Sequence, residues 1–111
     1  MDEIEENENS VISLILHSGN ASSRAMEAIY ASRNKNFDEA EVLLADVKNE
    51  LALAHREHME ILAKEARGEK FEVNILLMHA LDHMSQAHIV YELAKEIVLM
   101  RQEYIRKDEI E

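Results

Sequence analysis

The stretch V-N-I-L-L-M-H-A-L-D-H-M-S-Q, Val73 to Gln86, decides how this chain is read. It opens as a near-continuous apolar run and then sets His79, Asp82, His83 and Gln86 close together. Residues three, four and seven apart share a helix face, so at about 100° per residue these four polar groups fall in one sector. Ile75 and Leu76 precede them on that sector, and Val90, Leu93 and Ile97 follow. The result is a polar cluster set in an apolar stripe. A carboxylate and two imidazoles are costly there unless they pair, bind something or react.

The opposite sector is apolar as well. Val73, Leu77, Leu81 and Met84 lie on it, joined further along by Tyr91 and Val98. A helix without a solvated face belongs inside something. A small bundle covers one side of this helix. The second side, with His79 and Asp82, is expected to meet another subunit or a closely docked partner.

The rest of the chain bounds what can surround that helix. Its 111 residues make one domain with one core. There is no proline, and Gly19 and Gly68 are the only glycines, too few turn residues for strands and hairpins. The expected class is therefore all-α. The absence of cysteine rules out disulfides and thiolate metal sites and fits a reducing compartment. A formal charge of −11, from 12 basic against 23 acidic residues, disfavours nucleic acid and anionic membranes as partners. No apolar run approaches the roughly 18 residues of a membrane span. Met1 to Asn9 is acidic, the reverse of a signal peptide's basic start, so the expected location is the cytoplasm.

Residues 1–9, nearly all acid and amide, read as a disordered lead-in to a single three-helix domain over residues 10–107. A first helix is expected over about 10–33, capped by Asn9 or Ser10, with Ile12, Ile15, Met26 and Ile29 at helical spacing. Its middle, S-G-N-A-S-S from Ser18 to Ser23, allows a tight helix crossing or leaves room and hydroxyl donors beside a reacting group. Asn34 to Asn36 forms the first turn. Asn36 and Glu39 make an asparagine capping box for a second helix over about 37–67, which Gly68 ends in the left-handed conformation. His55 and His58 on it read as a partly exposed polar face, since no third metal ligand accompanies them. A third helix is expected over about 71–106, with Glu69 and Glu72 at its positive end. Short turns make the three helices an antiparallel, up-down-up bundle.

Three readings of the His79 cluster stand side by side. His79 and His83 are hydrogen-bonded core residues, or His79, Asp82 and His83 are metal ligands completed by other subunits. In the third reading His79 is a nucleophile whose neutral nitrogen carries a phosphoryl group as a phosphoramidate. That requires a ring held in one tautomer, nearby donors, and access for both a donor and an acceptor.

L-M-H-A-L-D-H-M, Leu77 to Met84, resembles the H-A-Q-D-H-L signature of the enzyme IIA component of the lactose/cellobiose branch of the bacterial sugar phosphotransferase system. Further matches are S-G-N-A-S-S-R-A-M-E-A (Ser18 to Ala28), N-F-D-E-A-E (Asn36 to Glu41), the Ala54-His55 pair and A-R-G-E-K-F-E-V (Ala66 to Val73). The resemblance runs from about Val11 to Met100. It implies a homotrimer with the third helices around the axis. It implies that His79 takes a phosphoryl group from the histidine-containing phosphocarrier protein and passes it to a cysteine of a cognate IIB domain, while the membrane IIC component imports a disaccharide. Asp82 aligns with the family's axial aspartate, of which three copies hold a divalent cation, typically magnesium. His83 matches the second motif histidine and takes a supporting role. The family's glutamine is Leu81 here, which the helical reading turns away from His79. Gln86 stands where the family often has threonine and points toward the site as a supporting donor. The competing readings are a metal-binding helical bundle and an interaction module without chemistry.

Overall fold

A computed structural model describes residues 2–110 as α1 (Glu3–Arg33), α2 (Phe37–Ala66) and α3 (Ile75–Ile110). Among the described residues there is no strand, as the composition demanded. Cross-helix contacts give the directions. Asn7 meets Lys64 and His17 meets Glu50, so α2 runs back along α1. Ser32 meets Arg101, and Leu14 shares a cluster with Leu77 and Ala80, so α3 runs parallel to α1. α1 packs along both other helices, whereas α2 and α3 touch each other far less.

Two of the expected boundaries move, each for a local reason. Residues 3–9, expected to be a disordered lead-in, form the opening turns of α1. Asp2, not Asn9 or Ser10, is the N-cap, its Oδ1 accepting from the Glu5 backbone N–H at 2.8 Å. Glu3, Glu5 and Glu6 lie at the positive end of the helix dipole, so acidity that reads as solvation is helix-stabilising here. Asn7 ties these turns down through Lys64 Nζ at 2.8 Å. Met1 lies outside the described residues.

The third helix begins at Ile75, not near residue 71. Asn74 Oδ1 accepts from the Leu77 N–H at 2.9 Å and so caps the helix, leaving Glu69 and Glu72 outside its first turn. Phe71 packs instead on the lower core, and the Lys70 carbonyl accepts from Asn7. At the far end α3 continues through residues 107–110, past the expected stop.

The turn chemistry follows the sequence closely. Asn36 Oδ1 accepts from the Glu39 N–H at 3.4 Å and its amide donates to the Glu39 carboxylate at 2.8 Å. Gly68 has φ 79°, and the Glu69 N–H reaches back to the Lys64 carbonyl, a Schellman closure. Lys35 takes the equivalent left-handed position after α1, at φ 63°, where glycine would carry less strain.

Alanine dominates the seam between helices. Ala21, Ala25 and Ala28 of α1, Ala40 and Ala54 of α2, and Ala80, Ala87 and Ala94 of α3 are fully buried. Leu14, Val47 and Val98 are the largest apolar side chains that are fully enclosed. Small residues let the backbones approach but contribute only about 0.8 kcal/mol per buried methyl-sized group. Of the Ser18 to Ser23 segment, Ser18 and Ala21 are buried in this seam. Gly19 is not part of it, because a Cβ there would meet nothing within 4 Å. The Ser18 hydroxyl is buried without a hydrogen-bond partner. Ser18→Ala and Gly19→Ala should each raise stability by about 1 kcal/mol, the first by removing an unsatisfied hydroxyl and the second through helix propensity. Urea unfolding measures both, and a loss of stability in Gly19→Ala would mean that a neighbour fills the space beside it.

Candidate functional site

Two stripes run the length of α3. Leu77, Ala80, Ala87, Ala94 and Val98 are buried against the other helices, with Met84 and Tyr91 half-buried between them. The second stripe, Ile75, His79, Asp82, Gln86, Ile89, Leu93, Glu96 and Met100, is exposed at every position. Its spacing alternates four and three, a strict heptad rhythm, so it tracks the period of a helix that supercoils against others. The expected continuation through Val90 and Ile97 is corrected: both are half-buried, and Val90 joins the upper core. A 3.6-residue period drifts by about 20° per heptad relative to this stripe, which accounts for the difference.

The stripe is apolar wherever it is not the site. Ile75 is 85% exposed, Leu93 57% and Met100 64%. α1 shows the same inversion, with Ile12, Leu16, Met26 and Tyr30 exposed while its alanines are inside. A monomer that buries its small side chains and presents its large ones has an unfinished surface.

The site residues separate into two pairs. His79 is exposed and His83 half-buried, and their Nε2 atoms lie 3.0 Å apart. The rings meet edge to face, with centroids 4.4 Å apart and planes at 82°. Two Nε2 atoms at that distance share one proton, so one ring donates N–H and the other accepts through a lone pair. Asp82 is exposed and accepts from Gln86 Nε2 at 2.9 Å. All four expected residues thus come together on one face, Gln86 beside Asp82 rather than beside His79. Among the described residues, no three His, Asp or Glu side chains converge closely enough to hold a metal ion within one chain. His79, Asp82 and His83 therefore do not form a ligand set in a single subunit.

Leu81 is half-buried against the lower core, off the His79 face, as the helical reading had it. His55 is exposed and His58 half-buried, and neither joins the site. The sequence-based reading assigns no role to His17, yet its Nδ1 lies 2.6 Å from Glu50 Oε2 and ties α1 to α2. Nothing local marks that pair, because its members lie on different helices. No helix of the described residues is long and apolar enough to cross a membrane.

The family model for the PTS system, Lactose/Cellobiose specific IIA subunit, matches residues 9–102. The lichenan-specific phosphotransferase enzyme IIA component of Bacillus subtilis is 43% identical over 94 residues, 85% of this chain and 86% of that one. The oligo-beta-mannoside-specific EIIA component of the same organism is 40% identical over 85 residues, 77% of each chain. The crystal structure of a cellobiose-specific enzyme IIA from Bacillus anthracis superposes with a TM-score of 0.88 at 37% identity, over 96% of this chain and 95% of that one.

Because Leu81 serves the core and not the ring pair, Leu81→Gln should cost about 1–2 kcal/mol of stability. The imidazole resonances of His79 and His83 should stay where they are. A shift of either ring in an NMR spectrum of that variant would contradict the separation.

Proposed function

We propose, from the premise that this chain belongs to the lactose/cellobiose-specific IIA family of the sugar phosphotransferase system, that it is a phosphohistidine carrier with His79 as the phosphorylated residue. One observation carries the proposal. His79 is an exposed imidazole on a face the subunit leaves uncovered, and its Nε2 is held 3.0 Å from a second imidazole nitrogen. That combination gives a partner protein access and holds the ring in place beside a group that can either donate to it or accept from it.

The chemistry follows from the shared proton. With His83 as the donor, His79 keeps its own proton on Nδ1 and presents the Nε2 lone pair. The lone pair forms an N–P bond as the N–P bond of the donor, the histidine-containing phosphocarrier protein, breaks and its electron pair returns to that imidazole. The released His83 N–H can then turn to a phosphoryl oxygen, where a fixed donor stabilises developing charge. In the second transfer a IIB cysteine thiolate forms an S–P bond and His79 recovers its electron pair. The relay runs on the cytoplasmic side and serves the IIC-dependent uptake and phosphorylation of a disaccharide of the cellobiose, lactose or chitobiose type.

The exposed heptad stripe supports a homotrimer with the α3 helices around its axis and His79 in an open groove between neighbouring subunits, where a partner still reaches it. Ile75, Ile89, Leu93 and Met100 would supply the apolar contact that a lone subunit lacks. Asp82 would then face its two symmetry copies. Three carboxylates on an axis repel, and their oxygens are a hard donor set that fits a divalent cation such as magnesium. Such an ion, when bound, neutralises charge at the interface; Gln86 holds the carboxylate that would coordinate it.

His79→Gln should abolish labelling by phosphoenolpyruvate and the purified general phosphotransferase proteins, while His83→Gln should retain slower labelling. Label that survives in His79→Gln would sink the assignment. Asp82→Leu should give a trimer as tight as the parent or tighter, because it removes the axial repulsion and adds apolar contact. Sedimentation equilibrium decides that point, and a monomeric Asp82→Leu would refute the axial placement.

A further inference from the structure

The end of the bundle remote from His79 holds a cavity of about 410 Å³ between the α1–α2 turn and the last turns of α3. Its charge is out of character for the chain. With 23 acidic against 12 basic residues, an average patch of this surface is acidic. Yet the cavity lining contains Arg33, Lys35 and Arg101 and no carboxylate.

Among the described residues no Asp or Glu forms an ion pair with any of these three cations. Arg101 is half-buried, and its Nη1 donates to the Ile29 carbonyl at 2.8 Å and to Ser32 Oγ at 2.9 Å. Both partners are neutral, and they use one nitrogen of a five-donor fork. Arg33 lies over the Tyr30 ring at 5.3 Å. Lys35 is held at the cavity by a backbone turn at φ 63°. Arg33 lies in the last turn of α1, at the negative end of its dipole, whereas Arg101 comes from a different helix. The remaining wall is Met100, Tyr104 and Ile105, which offer an apolar and aromatic surface.

Convergent cations without an ion-pair partner, one of them a guanidinium anchored at its other edge, are the elements of phosphate recognition. An adjoining apolar wall suits an organic group attached to that phosphate, and the volume lies in the range of small-molecule sites. We propose that this cavity binds a small phosphate ester, its dianion among Arg33, Lys35 and Arg101 and its organic part against Tyr104 and Ile105, with Met100 left to the interface stripe. The site lies about 33 Å along α3 from His79. It stands independently of the phosphoryl relay and does not share residues with it.

The test is an NMR titration of the intact ¹⁵N-labelled protein at fixed ionic strength with glucose 6-phosphate, inorganic phosphate and glucose. Glucose 6-phosphate should shift the Arg101 Nε–H and Lys35 amide signals saturably, with a Kd of about 1 mM or tighter. Inorganic phosphate should bind several-fold more weakly, and glucose should do nothing. The double variant Arg33→Gln/Lys35→Gln changes only exposed side chains and should weaken binding by about tenfold or more. Its rate of His79 phosphorylation should stay unchanged. Shifts that remain linear, or binding that persists undiminished in the double variant, overturn the site. Equal affinity for inorganic phosphate overturns the assignment to an ester.

Discussion

α3 must satisfy two apolar stripes with the covering power of one small bundle, and the rest of the structure follows from that mismatch. The inner stripe is served by α1 and, more lightly, by α2. Alanines along it draw the helices together, which conserves chain length but limits the area each contact buries. The outer stripe keeps the larger aliphatic residues, Ile75, Ile89, Leu93 and Met100, in water. A single subunit is thus a half-solved packing problem. The chemistry-bearing residues sit in the unsolved half, where they can be reached and where neighbours can shape them.

The site itself is economical. Two imidazoles one helical turn apart hold each other through a single shared proton, and a carboxylate one residue from the second ring is held by an amide one turn on. Every one of these contacts is an i, i+4 contact within α3, so the helix alone builds the site. Tertiary structure contributes exposure and direction. This is why a local reading reached His79, Asp82, His83 and Gln86 and why it set Leu81 apart: a side chain at a different helical angle meets a different neighbour.

What the sequence concealed was non-local or depended on a competing cap. The start of α3 was misplaced because the run through Phe71 and Val73 continues the apolar pattern, whereas Asn74 turns its side chain onto the Leu77 amide and starts the helix there. The opening turns of α1 are hidden because a run of glutamates and asparagines has the composition of a solvated tail, whereas the Asp2 cap, the acidic first turn and the Asn7 bond to Lys64 favour a helix. The 3.5-residue rhythm of the outer stripe was blurred into 3.6, which put Val90 and Ile97 outside when they lean inward. The turns, by contrast, were legible to the residue, because Asn36 and Gly68 act on backbone groups a few positions away.

The order of the helices has a kinetic consequence. α1 and α2 are joined by a three-residue turn and form an antiparallel hairpin from contacts close in sequence, with little loop entropy to overcome. The contacts of α3 with α1 close a loop that contains the whole of α2. Loop entropy thus favours the hairpin over the α1–α3 contact as the first structure to form. The outer stripe of α3 stays in water even after the inner one is covered, so an undocked third helix exposes both at once and is the state of this chain most prone to aggregate.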